Sequence, residues 1–206
     1  MTAVTRWHFV RHAPVIGAES LLYATPDEPA DCSDRAAFQF LAGFLPQKAP
    51  LLLSSGLQRT NATAEAIRAA GWQAEDPILE PRLAEQYYGV WHGKKLRDIA
   101  AMRTNPPHKH WWSSAEDLPE GGESFRMQYE RVAAAMDEWS ARAQGRDIVA
   151  VAHGGTVRAA LAHALGLDLE RALTISCANL SVTRMDHVPG DGLGGDWRVV
   201  YVNRRP

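Results

Sequence analysis

Asp147-Ile148-Val149-Ala150-Val151-Ala152, running into His153-Gly154-Gly155, is the stretch whose reading decides the fold. From Ile148 to Ala152 every side chain is apolar. A strand here has no face to turn to water, so it belongs in a sheet covered on both sides. The run stops at a histidine and two glycines. Behind them Thr156–Leu165 carries a helical pattern that Gly166 closes.

Working outward, similar apolar or β-branched runs occupy Thr5–Arg11, Pro50–Ser54, Leu180–Met185 and Trp197–Val202. Helical periodicity fills the gaps. Thr60–Ala70 ends at Gly71, and Phe125, Tyr129, Val132, Met136, Trp139 and Ala143 make one apolar stripe that stops before Gly145. Such alternation predicts an α/β fold: a three-layer α/β/α sandwich with a largely parallel sheet. The last two strands are joined by Pro189-Gly190-Asp191-Gly192-Leu193-Gly194-Gly195 with no helix between them. That predicts a hairpin or irregular edge, and so a mixed sheet. At 206 residues the chain suits one domain, 1–206, with a sizeable core. Residues 94–122, and Met102–Gly122 above all, lack periodicity and carry prolines, histidines and two tryptophans. They read as a substrate-facing cap, an excursion over the sheet edge.

Composition narrows the function classes. A formal net charge of −2 and a pI of about 6.4 lack the basic bias of a nucleic-acid binder, so no nucleic-acid partner is expected. No apolar segment approaches membrane-spanning length and no signal core opens the sequence, which predicts a cytoplasmic protein with no membrane partner. Cys32 and Cys177 offer neither metal-ligand spacing nor a redox pair; two thiols fit a reducing compartment and leave a disulfide open. His108 and His110 form a His-x-His pair without a clear third ligand, so they read as surface histidines rather than a metal site. Neither metal nor cofactor is expected, and nothing in the sequence fixes the oligomeric state.

Two strand-like runs end in histidine, one at Arg11-His12 and one at His153-Gly154-Gly155. In an open α/β sheet, ligands bind where strands run out at their carboxyl ends. A guanidinium there can hold a phosphoryl group while an imidazole supplies its lone pair. The helix after His153 would aim free amides at the same anion. On this reasoning alone, either histidine could be the one that attacks.

Further segments extend the pattern. Val10-Arg11-His12-Ala13 resembles the Arg-His-Gly opening of the histidine phosphatase superfamily, also called phosphoglycerate-mutase-like. Ser54-Ser55-Gly56-Leu57-Gln58-Arg59-Thr60-Asn61-Ala62-Thr63-Ala64 resembles its Ser-x-x-Leu-x-Arg-x-x-x-Thr-Ala segment. Glu85-Gln86-Tyr87-Tyr88-Gly89-Val90-Trp91-His92-Gly93 resembles Glu-x-x-x-Gly-x-Trp-Glu-Gly. Gly121-Gly122-Glu123-Ser124 and His153-Gly154 match later segments. The order is right along nearly the whole chain. The resemblance implies His12 as nucleophile, Arg11, Arg59, His153 and Gly154 as phosphate ligands, and Glu85 as proton donor. Charges around His12 should keep it neutral, while His153 is open to protonation.

The sequence departs from the family at three places. Ala13 replaces a glycine, which the backbone tolerates unless φ is positive. A Thr-x-x-Asn is absent from Ala13-Pro14-Val15-Ile16-Gly17-Ala18. His92 stands where the family has glutamate. Glu80 and Glu123 rival Glu85 as the acid. Ser54 and Ser55 suit turn or capping duty rather than nucleophilic attack. Trp111 and Trp112 suit either substrate stacking or a small core, and Arg158 reads as part of a solvated helix face.

The resemblance implies a metal-independent phosphomonoesterase of the histidine acid type, acting on a small phosphorylated metabolite through phosphohistidine on His12. The stretch Leu22-Tyr23-Ala24-Thr25-Pro26-Asp27 brings it nearest α-ribazole phosphatases. Mutase-type phosphoryl transfer and a non-catalytic phospho-ligand or protein-binding module are the alternatives.

Overall fold

The computed structural model of the chain describes residues 3–17, 22 and 26–205. Among them six strands form one sheet: β1 Thr5–Arg11, β2 Leu51–Ser54, β3 Ile78–Leu79, β4 Asp147–Ala152, β5 Val182–His187 and β6 Trp197–Arg204. Their order is β3-β2-β4-β1-β5-β6. The first four in that order run parallel, while β5 is antiparallel to β1 and β6 to β5. The sheet is therefore mixed, with its antiparallel strands gathered at one edge.

β4 lies second from β3 and beside β1, and both faces are covered. Ile148, Ala150 and Ala152 join Trp7 and Phe9 in a core with α4 (Phe125–Ala143) and α5 (Gly154–Leu165). Val149 and Val151 join Val10 and Leu52 in a second core under α1 (Arg35–Phe44) and α2 (Gln58–Ala69). Alternation along each strand splits its apolar side chains between the layers. Each large one contributes about 1.5–3 kcal/mol by leaving water.

Local chemistry sets the helix bounds. Ser124 caps α4, its hydroxyl accepting from Met127 N–H at 3.3 Å, and Asp34 caps α1 in the same way through Ala37 N–H. α5 opens at Gly154 rather than Thr156, with His153 as its N-cap residue, and closes on Gly166 in the left-handed region. Leu180 is not part of β5, because its φ of 57° turns the chain before the strand begins.

Residues 94–122 contain α3 (Leu96–Met102) and otherwise irregular chain. Tyr88, Trp91, Ile99 and Leu22 form a small separate core, and Trp112 packs against it. The excursion is fastened to α6 (Leu169–Ala172): Ala115 N–H donates to Glu170 Oε1 at 2.9 Å and His108 Nε2–H to the Glu170 carbonyl at 3.0 Å. His108 Nδ1 accepts from the backbone N–H of His110, so both ring nitrogens of His108 are engaged. Among the described residues, no group of three or more His, Cys, Asp or Glu could hold a metal ion. Nor is any helix among them long and apolar enough to cross a membrane. Cys32 and Cys177 are free thiols. Tyr23, Ala24, Thr25 and Ala18, named above, lie outside the described residues.

Candidate active site

The strand order β2-β4-β1 sets three parallel carboxyl ends side by side. Arg11, the last residue of β1, is in register with Ala152, the last of β4. The next residues, His12 and His153, therefore meet, with ring centroids 5.1 Å apart. β2 ends at Ser54, and Arg59 sits in the first turn of the following helix, α2. Arg11, His12, Arg59, His153 and Gly154 thus lie together at one edge of the sheet.

His12 is fully buried. Its Nδ1 lies 2.6 Å from the Ala13 carbonyl, which can only accept, so Nδ1 carries the ring proton. Nε2 is buried and has no hydrogen-bond partner. Burial first, then the Arg59 guanidinium, lowers the His12 pKa to about 3 against a partial opposing effect of the Ala13 carbonyl. The ring is neutral at physiological pH, with its lone pair on Nε2.

His153 differs from expectation. Arg59 Nε donates to its Nδ1 at 3.2 Å, and its Nε2 lies 2.8 Å from Ser55 Oγ. Nδ1 is therefore the lone-pair nitrogen and Nε2–H the donor. Burial, then Arg59 and His12, holds its pKa well below the ordinary histidine value. The protonated state does not fit: this imidazole is neutral, wedged between a cation and a hydroxyl. The chain continues from Ser55 to Thr60 Oγ1 at 3.0 Å and from Thr60 to the Leu57 carbonyl at 2.7 Å. Ser54 Oγ donates to Asn61 Oδ1. Both serines serve turn geometry, and Ser55 also orients His153.

Glu85 reaches the opening of α5. Its Oε1 accepts from Gly155 N–H at 3.2 Å, Gln86 N–H at 3.1 Å and Gln128 Nε2 at 3.2 Å. Oε2 makes no hydrogen bond among the described residues, so a proton on this carboxyl sits there. Gly155 allows the approach: a Cβ would stand 2.5 Å from Gln128 Oε1 and closer still to Glu85 Oε1. The rival acids are engaged elsewhere. Glu80 accepts from Arg82 Nε and Nη2 and from Trp139 Nε1, which hold its carboxyl well below the usual range. Glu123 pairs with Arg131. Arg131 also donates to the carbonyls of Arg82, Ala84 and Glu85, fixing the backbone that carries Glu85.

The departures from the family find local answers. Ala13 is absent from the residues with positive φ; its N–H donates to Thr63 Oγ1 at 2.9 Å, and Asn179 Nδ2 donates to the His12 carbonyl at 2.8 Å. His92 accepts from Tyr88 N–H at 3.2 Å and lies against the Tyr87 and Tyr88 rings, at the small core of the excursion. Trp112 belongs to that core, whereas Trp111 lies under the Arg158 guanidinium, 4.1 Å from the ring centroid. Arg158 is therefore not on a solvated face: it is 5% exposed.

Sequence reasoning missed Ser55 as a ligand of His153, and Gln128, Arg131 and Asn179 altogether. Gln128 carried a signal. It is a polar residue three after Phe125 and four before Val132, on the buried stripe, where an amide must find partners.

The chain is similar to three known proteins. Phosphoserine phosphatase 1 of Hydrogenobacter thermophilus is 31% identical over 133 residues, covering 64% of this chain and 61% of that protein. The chain thus matches less than two thirds of that relative's length. The native structure of mycobacterial glucosyl-3-phosphoglycerate phosphatase superposes with a TM-score of 0.79 at 25% identity, over 98% of this chain and 99% of that one. An Escherichia coli K-12 protein proposed to be an alpha-ribazole-5′-P phosphatase superposes with a TM-score of 0.75 over 98% of both chains, at 20% identity a likeness of fold alone. Residues 8–203 match the family model for branch 1 of the histidine phosphatase superfamily, and the chain belongs to that superfamily.

Proposed function

We propose that the protein is a phosphomonoesterase that hydrolyses a small phosphorylated metabolite through a phosphohistidine on His12. The observation that carries this reading is His12 itself: a buried neutral imidazole with its proton committed to Ala13 and an unpartnered Nε2 among guanidiniums. The kinds of substrate named for its relatives, phosphoserine and glucosyl-3-phosphoglycerate, are small phosphate monoesters.

Arg11 and Arg59 take the non-bridging oxygens, with planar donors whose fixed fork matches the phosphate geometry. Arg11 Nε is buried and has no hydrogen-bond partner, as a phosphate ligand would leave it before docking. The first amides of α5, beginning at Gly154, add an anion-favouring dipole end. His12 Nε2 attacks phosphorus in line with the leaving oxygen; the N–P bond forms as the P–O bond breaks. Glu85 gives its Oε2 proton to the departing alkoxide. It then takes one from the water whose oxygen attacks phosphorus and releases His12 with inorganic phosphate. His153 contributes by fixing the Arg59 guanidinium. In this reading charge neutralisation falls to the arginines, and no step uses a metal.

The test is para-nitrophenyl phosphate turnover with and without a chelator, in wild type and His12→Ala. Turnover that survives chelation and disappears in His12→Ala supports the reading. Absence of turnover on a broad panel of phosphate esters would favour the binding-module alternative, and 2-phosphoglycerate formed from 3-phosphoglycerate without phosphate release would favour the mutase.

A further inference from the structure

Arg158 has no part in the steps above, yet it is built into the same corner. A Cβ placed on Gly154 would stand 3.0 Å from Arg158 Nη1 and 3.5 Å from Arg11 Nε, so two guanidiniums converge on the first residue of α5. Each is pinned by a carbonyl of one loop. Arg158 Nε donates to Ile175 O at 2.8 Å, and Arg11 Nη1 donates to Cys177 O. The buried Cys177 thiol beside them feels both cations and, with opposite sign, Glu85.

Neither guanidinium is ion-paired to a carboxylate among the described residues, whereas Arg82, Arg126, Arg131 and Arg184 each are. Two adjacent cations with no acid between them oppose folding, so their arrangement calls for an anionic ligand. One phosphate does not answer the whole charge. A monoester dianion is balanced by Arg11 and Arg59, and Arg158 remains. Its Nη1 and Nη2 make no hydrogen bond among the described residues, and the Trp111 ring backs its guanidinium at 4.1 Å. Such an end-on pair of donors suits a carboxylate or a second phosphate.

We infer that Arg158 determines specificity by binding a second anionic group of the substrate, close to the ester phosphate, with Trp111 holding the guanidinium in place. This rests on the phosphomonoesterase reading. Trp111 comes from the 94–122 excursion, so the excursion bears on substrate choice through this contact.

The experiment compares 2- and 3-phosphoglycerate with glycerol 2- and 3-phosphate, which keep the carbon skeleton and lack the carboxylate. Para-nitrophenyl phosphate is the reference ester. Wild type should favour a phosphoglycerate over its glycerol counterpart. Arg158→Met, which keeps an apolar stem against Trp111, should cut kcat/KM for that phosphoglycerate on the order of 10- to 100-fold, as expected for one charged hydrogen-bonded contact. The glycerol phosphates and para-nitrophenyl phosphate should stay within about threefold, the range of neutral changes, and Arg158→Lys should recover part of the preference. Equal loss on every ester would place Arg158 on the shared phosphate or in the fold and overturn the inference. So would an unchanged preference, or a wild type that does not discriminate. If wild type hydrolyses no ester at all, it is the phosphomonoesterase reading that fails. Thermal shift then decides: stabilisation by phosphoglycerate that glycerol phosphate and Arg158→Met lack upholds the inference, and equal stabilisation overturns it.

Discussion

Arg59 Nε donates to His153 Nδ1 at 3.2 Å while the opposite ring nitrogen is held by Ser55. The second histidine of the site is thus a rigid spacer under a guanidinium. Arg59 Nη1 is fixed in turn by the Pro26 carbonyl at 2.9 Å. Removing the spacer with His153→Ala should lower kcat/KM for para-nitrophenyl phosphate on the order of 10²- to 10³-fold, the usual cost of losing a positioned donor to the developing charge. Arg59→Lys should fare no better, because an ammonium cannot make both the His153 and Pro26 contacts in one plane. Steady-state kinetics check both; a loss under tenfold in each would remove the relay from catalysis.

The tautomer of His12 makes a positional prediction. With Nδ1 bound to Ala13 O at 2.6 Å, the phosphoryl group should be found on Nε2 in the trapped intermediate. Rapid quenching at alkaline pH, where phosphohistidine survives, followed by NMR of the digested peptide distinguishes the isomers. Phosphorylation at Nδ1 would contradict the assignment.

Glu85→Gln should impair alkyl phosphates far more than para-nitrophenyl phosphate, whose leaving group needs little protonation. Gly155→Ala should imitate it. Its Cβ would displace the Glu85 and Gln128 side chains, so the leaving-group dependence should steepen while the fold persists. A uniform loss across leaving groups would take Glu85 out of the acid role.

Stability should fall as pH drops below about 6.5. The pKa values of His12 and His8 are lowered to about 3 and about 4, mainly by burial, and that of His153 lies well below its ordinary value. Between 6.5 and these values the unfolded chain takes up protons that the folded chain refuses, so stability present above 6.5 is lost progressively on acidification. His8 stands away from the chemistry, 3.9 Å from Asp147. His8→Asn should reduce the proton uptake on unfolding at pH 5 by about one, with activity retained. Urea melts across pH measure this; an unchanged pH slope would reject it. For the same reason protonation of His12 should not limit turnover above about pH 3, where the ring is already neutral.

What the sequence made legible was whatever depends on local pattern. The continuous apolarity of Ile148–Ala152 identified a doubly covered strand, and the stripe from Phe125 to Ala143 matches α4 end to end. Register then does the rest: once β1 and β4 pair, His12 and His153 must meet. β3 escaped because two residues carry no period. Arg158 was misplaced although the clue was present. Its helix has apolar residues on all sides, with Val157, Ala159, Ala160, Leu161 and Ala162 buried, and such a helix has no solvated face for an arginine. The charge state of His153 was beyond local reading, since it depends on which atom of Arg59, 94 positions away, faces which ring nitrogen.

The glycine-rich link between β5 and β6 has a practical corollary. β5 runs from the Val10 level to the Thr5 level of β1, so the turn that follows it projects from the rim opposite the histidines. Leu193 at its tip is wholly open to solvent. A tag, fluorophore or tether spliced there would leave the reacting end of the molecule free, which makes residues 189–195 the natural handle for attaching the protein to a surface.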